Sequence, residues 1–160
     1  MIEGVQFLYN IYKSEESNKK QRRLILAYIF EEMQINSELV SIILKNDIKK
    51  LLKYSPSIFQ QFETSSYDLI VSLNLDKTKI LSSSISNISK DLNIKKLKDS
   101  QKYQYKSDLE LYEFYIKKLR MIAKLSKSGA LSFTKINLTK RLKNIAYAVE
   151  ELSKRKKNEK

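Results

Sequence analysis

The chain has 160 residues, 31 Lys/Arg against 18 Asp/Glu, and a formal net charge of +13. It contains no histidine and no cysteine, which excludes Ser-His-Asp and Cys-His triads, disulfides, and metal sites built on imidazole or thiolate. Its two glycines, Gly4 and Gly129, are too far apart for a P-loop or a dinucleotide fingerprint, and with the single Pro56 they leave few chain breakers, which favours long helices.

A chain of this length fits one domain. The longest apolar run, Leu24 to Phe30, is far short of the ~20 residues that cross a bilayer. The opening MIEGVQFLYN lacks a cationic stretch followed by an apolar one, so no signal peptide is expected. The expectation is a soluble cytoplasmic protein with no integral membrane contact.

In chain order, Val5, Leu8 and Tyr12 have helical spacing over residues 3–13. A clear helix follows from Gln21 to Ile35, apolar around most of its circumference and therefore suited to the middle of a bundle. Asn36 or Ser37 is a plausible N-cap for a further helix through NSELVSIILKNDIKKLLKY. Ser55 and Pro56 then mark a fresh start, with Ile58, Phe59 and Phe62 as packing residues.

The middle carries two signals. Leu69, Val71, Leu73 and Leu75 alternate like a strand, whereas Leu81, Ile85, Ile88 and Leu92 step like a helix. A lone strand would leave its backbone groups unpaired, so residues 66–92 read as helical.

Residues 107–127 form one helix, closed by Gly129 in a C-terminal capping position. Residues 137–156 form another, along which Leu138, Leu142, Ile145, Val149 and Leu152 draw a heptad-like seam suited to an antiparallel neighbour or to a protein partner. The fold class is all-α, a single-domain bundle of about five or six helices. Residues 1–153 are expected to make the bundle and 154–160 a basic, disordered tail.

Charge is unevenly spread. Residues 1–46 are neutral, with six Lys/Arg and six Asp/Glu; residues 47–99 carry nine against six, and residues 100–160 sixteen against six. Such segregation points to a polyanion partner, although a lysine-rich composition by itself produces solvated basic faces. At about 100° per residue, Lys117, Arg120, Lys124 and Lys127 share one edge of a helix, spanning about 80°. Lys118 falls instead among apolar positions, so it should snorkel or pair.

The last helix adds Lys140, Lys143 and Lys154, with Tyr147 beside them, and the tail adds Arg155, Lys156 and Lys157. Interleaved lysine and tyrosine suit phosphate contact with base stacking. No helix-turn-helix, zinc-finger or RNA-recognition spacing is present, so base-specific readout is unsupported.

Adjacent carboxylates at Glu15-Glu16, Glu31-Glu32 and Glu150-Glu151 diverge by about 100° on a helix and cannot converge on one ion. One of Glu31 and Glu32 is expected to be partly buried, since they abut the most apolar helix. No cofactor, metal or catalytic residue is expected. The function favoured is a non-enzymatic module contacting nucleic-acid backbone through Lys117, Arg120, Lys124, Lys127, Lys140, Lys143, Lys154, Arg155, Lys156 and Lys157. The alternative is a protein-interaction module, or a homo-oligomer, joined through the seam from Leu138 to Leu152.

Overall fold

A computed structural model describes residues 18–82, 102–134 and 137–158. Among these there are six α-helices and no strand: α1 (Asn18–Lys45), α2 (Ile48–Tyr54), α3 (Ser65–Ser72), α4 (Lys77–Ile80), α5 (Asp108–Lys127) and α6 (Leu138–Asn158). Short 3-10 turns occupy Pro56–Gln60 and Tyr103–Tyr105. The all-α bundle is thus observed. The helical readings of 3–13 and 83–92 lie outside the described residues.

The first helix is longer than its sequence suggested. It runs unbroken through Asn36 and Ser37, because the stripe Ile25, Ile29, Met33, Val40 and Ile43 stays buried past that point. Asn36 is fully buried and its amide is used elsewhere. Its Oδ1 accepts from the Glu63 backbone N–H at 2.8 Å, and its Nδ2 donates to the Glu63 carbonyl at 2.7 Å. The break comes at Asn46–Asp47, where the Asp47 carboxylate caps α2 by accepting from Lys50 N–H at 3.2 Å.

Pro56 does begin a new element, though a 3-10 turn, and Ser55 makes no side-chain cap. The alternating stretch at 69–75 is helical to Ser72, then turns through Leu73 and Asn74, the latter at φ 50°. Asparagine tolerates this left-handed conformation better than most residues.

The ends of α5 are set by local chemistry. Ser107 Oγ accepts from Glu110 N–H at 3.1 Å at its start. At its end Gly129 has φ 75°; its N–H donates to Ser126 O at 3.1 Å, and Ala130 N–H donates to Leu125 O at 2.8 Å. That pair of bonds is a Schellman closure, whose positive φ favours glycine.

The core lies where α6 packs against both α1 and α5. Leu138, Leu142, Ile145, Val149 and Leu152 are all at most 6% exposed. Of the two occupants the seam suited, an antiparallel neighbour or a protein partner, the chain's own antiparallel helices fill it. An apolar edge of this width is satisfied by any adjacent stripe, and the burial of α1 and α5 supplies one. Both neighbours run antiparallel to α6: Lys156 Nζ lies over the Phe30 ring and Arg155 pairs with Asp108 near its C-terminal end, while Arg141 reaches Met121 near its start.

Candidate polyanion-binding surface

The basic residues divide by environment. Arg155 stands in the continuous helix α6, which extends to Asn158, so residues 154–158 are helical and no tail begins at 154. Its guanidinium is engaged at all three nitrogens: Nη1 donates to Asp108 Oδ1 at 2.8 Å, Nε to Glu151 Oε1 at 3.1 Å, and Nη2 to the carbonyls of Tyr103 and Gln104 at 3.2 Å each. A fork of five donors suits such convergence, and with four of them used it leaves little for a phosphate.

Arg120 is engaged in part. It pairs with Asp68 through a short contact and lies 4.6 Å from the Tyr67 ring centroid. Lys156 covers the Phe30 ring at 4.3 Å. Lys154 is exposed at the same end as Arg155, and the side chain of Lys157 lies outside the described residues. Lys118 is half-buried, its ammonium 5.3 Å from the Phe114 ring. Burial, with Arg141 and Lys117 nearby, lowers its pKa.

The remaining candidates behave differently. Lys117, Lys124, Lys127, Lys140 and Lys143 are exposed, and none forms a salt bridge with a described carboxylate. Four of them, Lys124 and Lys127 on α5 and Lys140 and Lys143 on α6, flank the loop that joins these helices.

The fold brings further lysines there. Ser126 Oγ, in the last turn of α5, donates to Pro56 O at 3.1 Å and accepts from Gln60 Nε2 at 3.5 Å. Lys49 Nζ sits 5.0 Å from the ring centroid of Phe133, just before α6. These contacts dock α2 and its following turn onto the loop end of α5 and α6. Lys45, Lys49, Lys50 and Lys53 thereby join Lys124, Lys127, Lys140 and Lys143, all of them exposed. Asp47, the acidic residue beside α2, is committed to its cap.

Sequence reasoning missed the α2 lysines because the segment was read for its apolar spacing alone. A stronger signal was available: between Glu113 and Glu150 the chain has nine Lys/Arg and no Asp or Glu. The aromatic residue expected beside these lysines is not free. Tyr147 packs against Tyr103, with ring centroids 5.8 Å apart, and leans on the core.

Helix dipoles separate two groups of lysines. Lys45, Lys53, Lys124 and Lys127 lie in the last turns of their helices, where a cation is favoured whatever its function. Lys140 lies in the first turn of α6, which holds no acidic residue, so its charge adds to the positive end of the helix.

A second polar cluster is sealed inside. Glu32 is 5% exposed; its carboxylate accepts from Ser66 N–H at 3.0 Å and from Ser66 Oγ at 2.7 Å, and Ser66 Oγ lies 2.7 Å from Tyr112 OH. Desolvation raises the pKa of Glu32, with the Ser66 hydrogen bonds opposing it, and burial likewise raises Tyr112 and Tyr115. Asn36 Nδ2 donates to Tyr115 OH at 2.5 Å. With Ser66 and Tyr112 each 1% exposed, this cluster joins α1, α3 and α5 and offers no substrate access.

Comparison with protein-family models, curated proteins and solved structures finds no match for this chain. The surface is therefore read from its own chemistry. Among the described residues no group of three or more Asp/Glu could hold a metal ion, and no helix is long and apolar enough to cross a membrane.

Proposed function

We propose that the protein is a binding module for nucleic-acid backbone, working through the lysine-rich end formed by the C-terminus of α1, by α2 and by the loop ends of α5 and α6. The observation that carries this reading is the gathering of eight exposed lysines from four helices with no ion pair to a described carboxylate. Such charges gain little inside the fold and attract a polyanion through counterion release. Lysine supplies point charges without a fixed donor fork, so contact follows phosphates and ignores base identity.

The test is fluorescence anisotropy of labelled single- and double-stranded DNA and RNA across a salt series. Wild-type protein is expected to bind saturably, with log K falling linearly as log salt rises. Changing Lys124, Lys127, Lys140 and Lys143 together to Gln should flatten that slope by about 3 units, at ~0.7–0.9 per phosphate contact. An unchanged affinity and slope would discard the surface.

A protein partner is the second reading, and one feature favours it. Ile35 and Ile42, two turns apart on α1, are each 52% exposed. If a second copy covers them, light scattering will give a dimer mass that Ile35→Lys and Ile42→Lys reduce to the monomer.

A further inference from the structure

Tyr54 is the most exposed of the large apolar or aromatic side chains on the described surface, at 71%. It ends α2, where Ser55 N–H closes the helix on Leu51 O at 2.9 Å and Pro56 prevents its continuation. The ring thus stands at a change of chain direction with no ring of the described residues packed on it. Lys53 Nζ lies 5.1 Å from its centroid. One helical turn earlier, Lys49 Nζ lies 5.0 Å from the Phe133 ring. Residues four apart share a helix face, so the two lysines, each beside an aromatic ring, lie along one face of α2.

The other tyrosines for which ring contacts are seen are packed against further rings and less exposed. Tyr67 is half-buried and meets Tyr112 as well as Lys77 and Arg120, Tyr103 meets Phe114 and Tyr147, and Tyr112 and Tyr115 are buried against each other. Phe133 rests partly on the core, which leaves Tyr54, with Lys53 near one side and no described ring against it, as the most exposed ring beside the lysines.

We infer that Tyr54, flanked by Lys53 and Lys49, is a base-stacking platform that makes single-stranded nucleic acid the preferred ligand of this surface. The inference rests on the backbone-binding reading above. Its chemistry is separable from that reading: a ring accepts the face of an unpaired base, which a duplex keeps stacked, while the lysines contact phosphate in either form. Because every base has a π-face, the preference is for strandedness rather than sequence.

The experiment compares wild type, Tyr54→Ala and Tyr54→Phe in anisotropy titrations. The probes are a labelled oligothymidine of about 16 nucleotides, long enough for a binding site of this kind, an abasic sugar-phosphate chain of the same length, and a duplex. Tyr54→Ala should weaken oligothymidine binding about 5- to 150-fold, given ~1–3 kcal/mol per stacked base. Tyr54→Phe should retain it, and the abasic chain and duplex should bind all three proteins alike. If Tyr54→Ala binds oligothymidine as wild type does, stacking is refuted and the backbone reading stands. An equal loss on the abasic chain also refutes it, since no base is then involved. If no probe binds saturably, both readings fall together.

Discussion

At one end of the α5–α6 pair, Arg155 is enclosed by Asp108, Glu151 and two backbone carbonyls. At the other, Lys124, Lys127, Lys140 and Lys143 face water with no described carboxylate in salt-bridge range. Both ends are cationic in sequence, yet only the first uses its charge to hold the helices together. Arginine sits where several acceptors converge, because its planar fork satisfies them at once. Lysine sits where the charge stays hydrated and can be exchanged for another anion.

The largest expected effect breaks the closed end. Arg155→Ala leaves Asp108 and Glu151, with side chains 20% and 15% exposed, facing each other without their cation. Removing one partner of such a set should cost about 2–4 kcal/mol, allowing for the partial exposure. Urea denaturation would measure it. Polyanion affinity should change little, and a parallel loss of both would show that the two ends are not independent.

How far the sequence could disclose this division depended on distance along the chain. The ends of α5 were readable from Ser107 and Gly129, whose bonds reach only a few residues. The buried face of α6 was readable from its strict steps of four and three. Arg155 was not, since a run of cations near a helix end resembles a solvated tail, and its decisive partner Asp108 lies 47 residues earlier. Asn36 was mistaken for a cap for the same reason, because its amide serves Glu63, 27 residues away. The lysine-rich end was half legible: α5 and α6 announced their share, and the α2 lysines joined only through tertiary docking.

The next effect sharpens the contrast by adding a carboxylate that is enclosed without a cation among its hydrogen-bond partners. The folded-state pKa of Glu32 is raised by burial above its ordinary value. The folded protein therefore binds this proton more tightly than the unfolded chain does. Its contribution to stability is fully present below the unfolded pKa and is lost as pH rises through the folded one. Glu32→Gln cannot titrate there. The stability of wild type relative to this variant should fall as pH rises from about 4.5, the ordinary glutamate region, toward neutrality. A difference that is flat with pH would mean that burial does not penalise the charge.

A smaller change acts on the open end. Gly129 at φ 75° has nothing within 4 Å of where a Cβ would stand, so Gly129→Ala meets no steric obstacle beyond the backbone itself. The expected cost is about 1 kcal/mol, the strain of a left-handed residue carrying a side chain. The Schellman closure sets where Lys124 and Lys127 stand relative to α6. Polyanion affinity should therefore move with this turn, whereas Arg155→Ala leaves it alone.

The smallest effect on stability separates two neighbours on α5. Arg120 and Lys124 are one turn apart and were indistinguishable in sequence, but Arg120 pairs with Asp68 while Lys124 pairs with no described carboxylate. The Arg120–Asp68 pair is largely exposed, at 41% and 66% of the two side chains, so Arg120→Gln should cost no more than about 0.5 kcal/mol. In binding the two positions should part. Lys124→Gln should reduce the salt slope by about 0.7–0.9, the share of one phosphate contact, and Arg120→Gln by much less. Asp68→Asn then supplies the reverse test: it releases Arg120 from its partner and should raise polyanion affinity without disturbing the fold. If Arg120→Gln instead weakens binding as much as Lys124→Gln, the internal pair does not hold this arginine back. Engagement within the fold would then cease to distinguish structural cations from working ones.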